Sequence, residues 1–101
     1  MGFVKVASTK GLKPGEMMGA GAGGKEICVA NMAGKYYAIG NRCTHMGCLL
    51  SDGTLRGENV TCPCHGSVFN VQTGAVVKGP AKKSETTYGV RIEEDQVLID
   101  V

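Results

Sequence analysis

The chain has 101 residues, of which 20% are charged, and its formal net charge at pH 7 is +2. A chain of this length forms one domain around a single hydrophobic core. The modest charge argues against intrinsic disorder and against a nucleic-acid-binding protein. Because no apolar run approaches the roughly 20 residues that cross a bilayer and no signal-peptide pattern is visible, we expect a cytoplasmic monomer. A periplasmic or membrane-peripheral chain trimmed of an anchor would look the same.

Several segments in the first forty residues have the patterns of β-strands. Phe3–Ala7 alternates apolar and polar residues, as a half-buried strand does. Glu16–Ala20 is a weaker candidate for a second strand. Segments 26–32 and 35–39 are rich in strand-forming residues, and the dipeptide Ala33-Gly34 between them is typical of a hairpin turn. The first part of the chain is therefore predicted to be antiparallel sheet.

The middle of the chain changes from strands to loops before strands return. Residues 40–53 are loop-like, and 76–81 is expected to re-enter the main body of the fold. Further strands are predicted at 58–61, 67–70, 87–93 and 96–101, and the last two are expected to form a hairpin across Glu94-Asp95. No segment keeps a 3.6-residue hydrophobic period for ten residues. The sequence thus predicts an all-β fold in which residues 41 to 73, approximately, are inserted as a ligand-bearing unit.

Two short motifs contain both histidines of the chain and four of its five cysteines. They read Cys43-Thr44-His45-Met46-Gly47-Cys48 and Cys62-Pro63-Cys64-His65-Gly66-Ser67. Closely spaced cysteine and histidine, as C-x-H and C-x-x-H, are typical of metal sites, whereas a secreted disulfide scaffold rarely needs the histidines. The fifth cysteine, Cys28, lies in a predicted strand and is expected to be a buried, inert thiol.

In this order and separation, the two motifs closely resemble those of the Rieske iron–sulfur proteins. The resemblance extends over nearly the whole chain, including Gly79-Pro80-Ala81, and implies an antiparallel β-sandwich base with an inserted cluster-binding subdomain. It also implies one [2Fe-2S] cluster per chain. The ligands implied by position are Cys43 and Cys62 on one iron, and His45 and His65 on the other.

A ligand set of two thiolates and two neutral imidazoles has a direct electrostatic consequence. It leaves the oxidised cluster neutral, whereas four thiolates would leave it dianionic, and an electron is added more easily to a neutral centre. The reduction potential is therefore raised, to about −150 to +300 mV against about −400 mV for plant-type centres. The sequence predicts a one-electron carrier without catalytic residues that serves protein partners such as a reductase, an oxygenase, a cytochrome or a larger redox enzyme.

The resemblance also implies roles for residues that are not ligands. Cys48 and Cys64 would form a disulfide between the loops, as in the high-potential, quinol-oxidising members; many soluble Rieske ferredoxins lack this pair. A reducing cytoplasm disfavours such a bond, so two thiols remain an alternative. Ser67 would donate its hydroxyl to a bridging sulfide. Phe69 stands where the highest-potential members often have tyrosine, which predicts a lower potential.

The remaining loop residues have expected roles in covering the cluster or in docking. Gly47 and Gly66 are expected to let the backbone approach the cluster, and Pro80 to stiffen a third, covering loop. Three apolar residues beside the histidine ligands either form an exposed docking tip or pack inward on the cluster. These residues are Met46, Leu49 and Leu50.

Four functions stay open on the sequence alone. The first is a free ferredoxin, and the second is a small subunit of a larger redox enzyme, of the nitrite reductase or arsenite oxidase type. The third is the head domain of a quinol-oxidising complex, which the cysteine pair favours. The fourth is a non-redox zinc-binding module, although zinc fingers group their cysteines in one knuckle and their histidines in another element.

Overall fold

The computed structural model describes residues 2–44, 47–64 and 66–101. Their strands are β1 Phe3–Ser8, β2 Met17–Ala22, β3 Lys25–Met32, β4 Lys35–Gly40, β5 Thr54–Arg56, β6 Asn59–Thr61, β7 Val68–Asn70, β8 Val76–Lys78, β9 Thr87–Tyr88, β10 Val90–Glu93 and β11 Gln96–Asp100. Two 3-10 turns, Thr9–Gly11 and Leu50–Asp52, are the only helical elements in the described ranges. No helix within those ranges is long and apolar enough to cross a membrane.

The strands form three antiparallel sheets, which confirms the predicted all-β fold. The first sheet has the order β1-β11-β10 and the second the order β2-β3-β4-β9. The third has the order β5-β6-β7-β8 and carries the two motif loops, one before β5 and one between β6 and β7. We call the first the base sheet, the second the middle sheet and the third the loop-bearing sheet.

The middle sheet is buried on both faces because β3 contributes to two separate cores. Ile27 and Val29 pack with residues of the base sheet, whereas Cys28 and Ala30 pack with residues of the loop-bearing sheet. Successive side chains of a strand point to opposite faces, so an unbroken apolar run fits a strand that is covered on both sides. The middle sheet therefore forms the floor on which the loop-bearing sheet rests.

Among the described residues, four two-residue turns connect neighbouring strands, and three of them have positive φ at both central residues. The φ angles are 58° and 75° at Gly23-Gly24, 53° and 93° at Ala33-Gly34, and 48° and 65° at Glu94-Asp95. Positive φ at both central residues is what type I′ hairpin turns require, and glycine adopts it without steric cost. The hairpins predicted around Ala33-Gly34 and Glu94-Asp95 are confirmed.

The predicted strand 87–93 is wrong, because the structure divides it between two sheets. β9 pairs with β4 of the middle sheet, and β10 pairs with β11 of the base sheet. Gly89 lies between them, where its carbonyl accepts a hydrogen bond from the Asp100 amide at 2.9 Å. A glycine inside a strand pattern often marks such a bend, and here it takes the chain from one sheet to the next.

The expectation that residues 76–81 re-enter the main body is also wrong for Val76–Lys78, because β8 pairs with β7 in the loop-bearing sheet. Asn70 reverses the chain there: its side-chain oxygen accepts from the amides of Gln72 and Thr73. Asparagine forms such turns through its own side chain. β5 was not predicted, since three residues are too few to show an alternating pattern.

Candidate metal centre

The first motif folds into a loop that two backbone hydrogen bonds close. The Cys43 amide donates to the Cys48 carbonyl at 2.8 Å, and the Gly47 amide donates back to the Cys43 carbonyl at 2.8 Å. Gly47 has a φ of 76°, which side-chain-bearing residues rarely adopt. The loop therefore presents Cys43 from a defined position at its base.

The second motif repeats this closure. The Cys62 amide donates to the Ser67 carbonyl at 2.7 Å, and the Gly66 amide donates to the Cys62 carbonyl at 3.2 Å. The φ of Gly66 is 77°, within 1° of that of Gly47. Cys43 and Cys62 thus occupy equivalent positions in two turns of the same construction. The positive φ angles explain why glycine stands at these two positions, an explanation that the sequence reasoning missed.

The thiols of Cys43 and Cys62 lie away from water. The two residues are 3% and 2% exposed and belong to the core that also contains Leu50, Val60 and Phe69. Two buried thiols in one apolar core are a suitable donor set for a soft metal centre, since thiolate is the ligand that iron–sulfur clusters use. On the cysteine side, the residues present fit a [2Fe-2S] cluster.

A disulfide between Cys48 and Cys64 joins the two loops. The two Cα atoms are 6.4 Å apart, Cys64 is exposed and Cys48 is half-buried. The sulfur of Cys62 lies within 4.8 Å of both disulfide sulfurs. The disulfide thus covers the Cys62 thiol from the outer side and prevents the loops from separating.

A third segment, residues 79–86, fastens itself to both loops; we call it the covering segment. The Ala81 amide donates to Ser67 Oγ at 3.0 Å, in a bond that is fully buried. Thr44 Oγ1 donates to the Lys83 carbonyl at 2.7 Å on the exposed side. Because Ser67 only accepts in its bond to Ala81, its hydroxyl proton remains available for another acceptor.

Pro80, expected in a third loop over the cluster, lies in the covering segment, where it is exposed and follows a cis peptide bond. Whether Pro80 stiffens it, and whether Ser67 donates to a sulfide, stay predictions. Arg42 provides one more tie, since its guanidinium donates to the Gly47 carbonyl at 3.0 Å and pairs with Glu26 at 2.8 Å. Each loop is therefore held by bonds from outside itself.

Glu85 is a buried acid that the sequence reasoning missed, because it ends a run of polar residues typical of a surface turn. Only 8% of the residue is exposed, and its Oε2 has no hydrogen-bond partner within the described part of the chain. Burial raises the pKa of this carboxyl to about 7, although a hydrogen bond from the Thr44 backbone acts in the opposite direction. Glu85 therefore lies beside the first loop with its proton largely retained below neutral pH.

Cys28 faces Glu85 from the middle sheet. Burial, and secondarily the negative charge of Glu85, raises the pKa of its thiol to about 12. The thiol is fully buried and contacts the Met17 sulfur at 3.9 Å. The predicted burial of Cys28 is confirmed, and its protonated state keeps it out of thiolate chemistry.

The apolar residues that follow the first loop divide between core and surface. Leu50 is fully buried and packs inward, so the alternative that placed it in an exposed docking tip is wrong for this residue. Leu49 is half-buried, and Phe69 is fully buried in the same core as Leu50. Phe69 therefore packs in the core, while its effect on the potential stays a prediction.

Three of the predicted site residues lie outside the described residues. They are the two expected histidine ligands, His45 and His65, and Met46 of the expected docking tip. The structure places Cys43 and Cys62 in one core, joins the loops through the Cys48–Cys64 disulfide and bonds the Ser67 carbonyl to the Cys62 amide. The cysteines of the predicted site therefore come from two joined loops, and their role as ligands stays a prediction.

A family model for the Rieske [2Fe-2S] domain matches residues 2–93 of the chain. The ferredoxin component of the naphthalene 1,2-dioxygenase system of Pseudomonas putida is 33% identical, over 98% of this chain and 95% of that protein. The matches thus cover both the loops and the sheets that carry them.

Solved structures are similar over the same extent. The ferredoxin of carbazole 1,9a-dioxygenase from Nocardioides aromaticivorans IC177 aligns with a TM-score of 0.93 at 31% identity, over 98% of this chain and 97% of that one. A chain in a complex of reduced oxygenase and oxidised ferredoxin of carbazole 1,9a-dioxygenase aligns with a TM-score of 0.91 at 31% identity, over 96% and 91%. Fold and sequence similarity therefore point to the same group of proteins.

Proposed function

Because the chain belongs to the Rieske [2Fe-2S] domain family, we propose that it is the ferredoxin component of a dioxygenase system acting on an aromatic compound, in which it passes single electrons to the oxygenase. The chain carries a [2Fe-2S] cluster and is an electron carrier, not itself an enzyme. The observation that carries the proposal is the match to nearly the full length of the naphthalene system's ferredoxin component.

We further propose that Cys43, His45, Cys62 and His65 hold the cluster. The equivalent closure of the two loops and the burial of both thiols support the cysteine ligands. The motif positions support the histidines. When bound, the cluster supplies a one-electron redox couple whose potential the mixed ligand set raises.

The chain's own residues keep this centre in place and dry. The disulfide and the covering segment hold the loops against each other, and the core below them excludes water from the thiols. Excluding water lowers the local dielectric constant and the reorganisation that electron transfer requires, which suits a carrier that does no other chemistry. We place this carrier in the cytoplasm, as part of the same proposal.

A second candidate is the head domain of a quinol-oxidising complex, and the observed disulfide favours it. The two candidates differ in their partners: a ferredoxin delivers electrons to an oxygenase, whereas a quinol-oxidising head takes them from a membrane quinol. The zinc-binding alternative finds no support in the family match.

Two measurements on the purified protein test the proposal. Iron and acid-labile sulfide, each at two per chain, with a visible spectrum that dithionite bleaches, would support the cluster assignment. The protein would then replace the ferredoxin in a reconstituted naphthalene dioxygenase assay with its reductase and oxygenase. Product formation that depends on the added protein supports the proposal. A loaded cluster with no turnover, combined with reduction by a quinol, would instead favour the second candidate.

A further inference from the structure

We propose that the end of the molecule at which the two loops meet is a cationic docking face, formed by Lys78, Lys82 and Lys83, for redox proteins that are acidic around their own redox centres. This inference rests on the proposed function only in requiring a protein partner. The partner must approach this end, since the opposite side of the two thiols is closed by the core.

The pairing of strands places Lys78 at this end. β6 runs into Cys62 and β7 starts just after Ser67, so the second loop lies where these two strands meet. β8 is antiparallel to β7, and its last residue, Lys78, is paired with Val68, the first residue of β7. Lys78 is exposed and therefore projects beside the second loop.

Two hydrogen bonds fix Lys82 and Lys83 against both loops. The amide of Ala81, just before Lys82, donates to Ser67 Oγ in the second loop. The carbonyl of Lys83 accepts from Thr44 Oγ1 in the first loop. The two exposed lysines therefore lie beside both loops, in a backbone segment that is hydrogen-bonded to each of them.

The surrounding acids do not neutralise these lysines. No ion pair within 4 Å joins any of the three to a carboxylate among the described residues. Of the acids near this face, Glu26 is paired with Arg42 and Glu85 is buried. Asp52, close after the first loop, is exposed and is the acid that faces solvent there. With Arg42 and Glu26 cancelling, three lysines against Asp52 leave the face positive.

The acidic residues lie elsewhere. Glu93, Glu94 and Asp95 form the longest acidic run of the chain and occupy the β10–β11 turn of the base sheet, which is not hydrogen-bonded to the loop-bearing sheet. A positive face with exposed charges steers negatively charged partners, by about 10- to 1,000-fold in association rate at low salt. The effect fades as the Debye length shortens.

Small inorganic oxidants can measure the charge of this face without any protein partner. The dithionite-reduced protein would be mixed in a stopped-flow instrument with ferricyanide, an anion, or tris(phenanthroline)cobalt(III), a cation. We expect the ferricyanide rate constant to fall as salt is added, and the cobalt rate constant to rise. Salt dependences of the opposite sign, or none, would overturn the proposal.

A matched pair of double variants separates local from net charge. Lys82→Glu/Lys83→Glu and Lys10→Glu/Lys35→Glu both change the formal net charge from +2 to −2, since each substitution removes one positive charge and adds one negative charge. Lys10 and Lys35 are exposed, next to the acidic turn and in the β3–β4 hairpin, respectively. At low salt we expect about a tenfold loss of the ferricyanide rate in the first variant and less than about twofold in the second.

The same variants would then be tested with an acidic flavodoxin as electron donor and a basic cytochrome c as acceptor. The Lys82→Glu/Lys83→Glu protein should react more slowly with the flavodoxin and faster with the cytochrome, at an unchanged visible spectrum. Equal changes in both double variants would assign the effect to net charge and overturn the proposal. Failure of the dioxygenase assay alone would count against the proposed function and leave these rates unaffected.

Discussion

The two motif loops have the same backbone construction but are held in different ways. Both are closed by one bond from the first cysteine to the sixth residue and by one from a positive-φ glycine. The second loop is fastened by a buried bond at Ser67, whereas the side-chain ties of the first, at Thr44 and Arg42, are exposed. Buried hydrogen bonds are costly to break, and exposed ones exchange readily with water. The comparison teaches that equivalent ligand positions need not be equally rigid.

The largest effect on bound iron should come from replacing the first cysteine of either loop. Cys43→Ser and Cys62→Ser each remove a thiolate at the base of a loop, so both should abolish the visible spectrum and the bound iron. Far-UV circular dichroism and iron analysis check this, with Cys28→Ser, a cysteine on a strand, as the control that keeps its iron. Iron retained in only one of the two loop variants would contradict the equivalence of the loops.

Removing the link between the loops should have the next largest effect. In Cys48→Ser/Cys64→Ser the loops lose their covalent tie, and a disulfide typically contributes about 2–4 kcal/mol to the free energy of unfolding. We expect a lower Tm and faster loss of iron to a chelator. The wild type under a strong reductant should behave in the same way. Unchanged chelation kinetics would mean that the hydrogen-bonded ties are sufficient without the disulfide.

Glu85 makes the support of the first loop dependent on pH. Burial raises the pKa of its carboxyl from 4.5 to about 7, so the folded protein binds more protons than the unfolded chain between these values. The free energy of unfolding therefore falls as pH rises. The protonated Glu85 carboxyl stabilises the folded protein, relative to the ionised form, by up to about 3 kcal/mol; this stabilisation is complete below pH 4.5 and is lost as pH passes 7.

Thermal unfolding between pH 5 and 8 measures this dependence. In Glu85→Gln the Tm should vary less across the range, because glutamine does not ionise. Glu58→Gln, at an exposed turn, is the control and should retain the wild-type slope. Equal slopes in all three proteins would show that Glu85 does not titrate in this range.

The difference between buried and exposed ties predicts unequal effects at Ser67 and Thr44. Ser67→Ala leaves the buried Ala81 amide without its acceptor, at a cost of about 1–3 kcal/mol, and removes a hydroxyl from the centre. Thr44→Val removes an exposed bond and should cost less than about 1 kcal/mol. Chemical denaturation and voltammetry check both variants. A lowered potential is expected for Ser67→Ala only, and a shift of equal size in Thr44→Val would contradict the comparison.

The sequence predicted the parts of the molecule that local chemistry determines. Alternating apolar residues predicted β1, the dipeptides Ala33-Gly34 and Glu94-Asp95 between strand patterns predicted two hairpins, and the pairing of cysteine with histidine predicted the centre. It failed where long-range packing decides. Gly89 divides a strand pattern because two sheets meet there, and Glu85 is buried because it packs against Gly40, Thr44 and Gly74. The glycine indicates a bend but not the sheet that each half joins, and nothing near Glu85 in the sequence indicates its contacts.

At Phe69 the motif position and the observed packing lead to different expectations for the same substitution. The motif position predicts that Phe69→Tyr raises the potential by donating a hydroxyl to the centre, whereas the structure shows a fully buried ring whose new hydroxyl must find an acceptor. If the hydroxyl reaches a cysteine sulfur, voltammetry should show a positive shift with little loss of Tm. If it points into the core, Tm should fall and the potential should not move. Phe69→Leu, which adds no hydroxyl, is the control for changes in packing alone, and a potential equal to the wild type's in Phe69→Tyr would remove Phe69 from the residues that tune the centre.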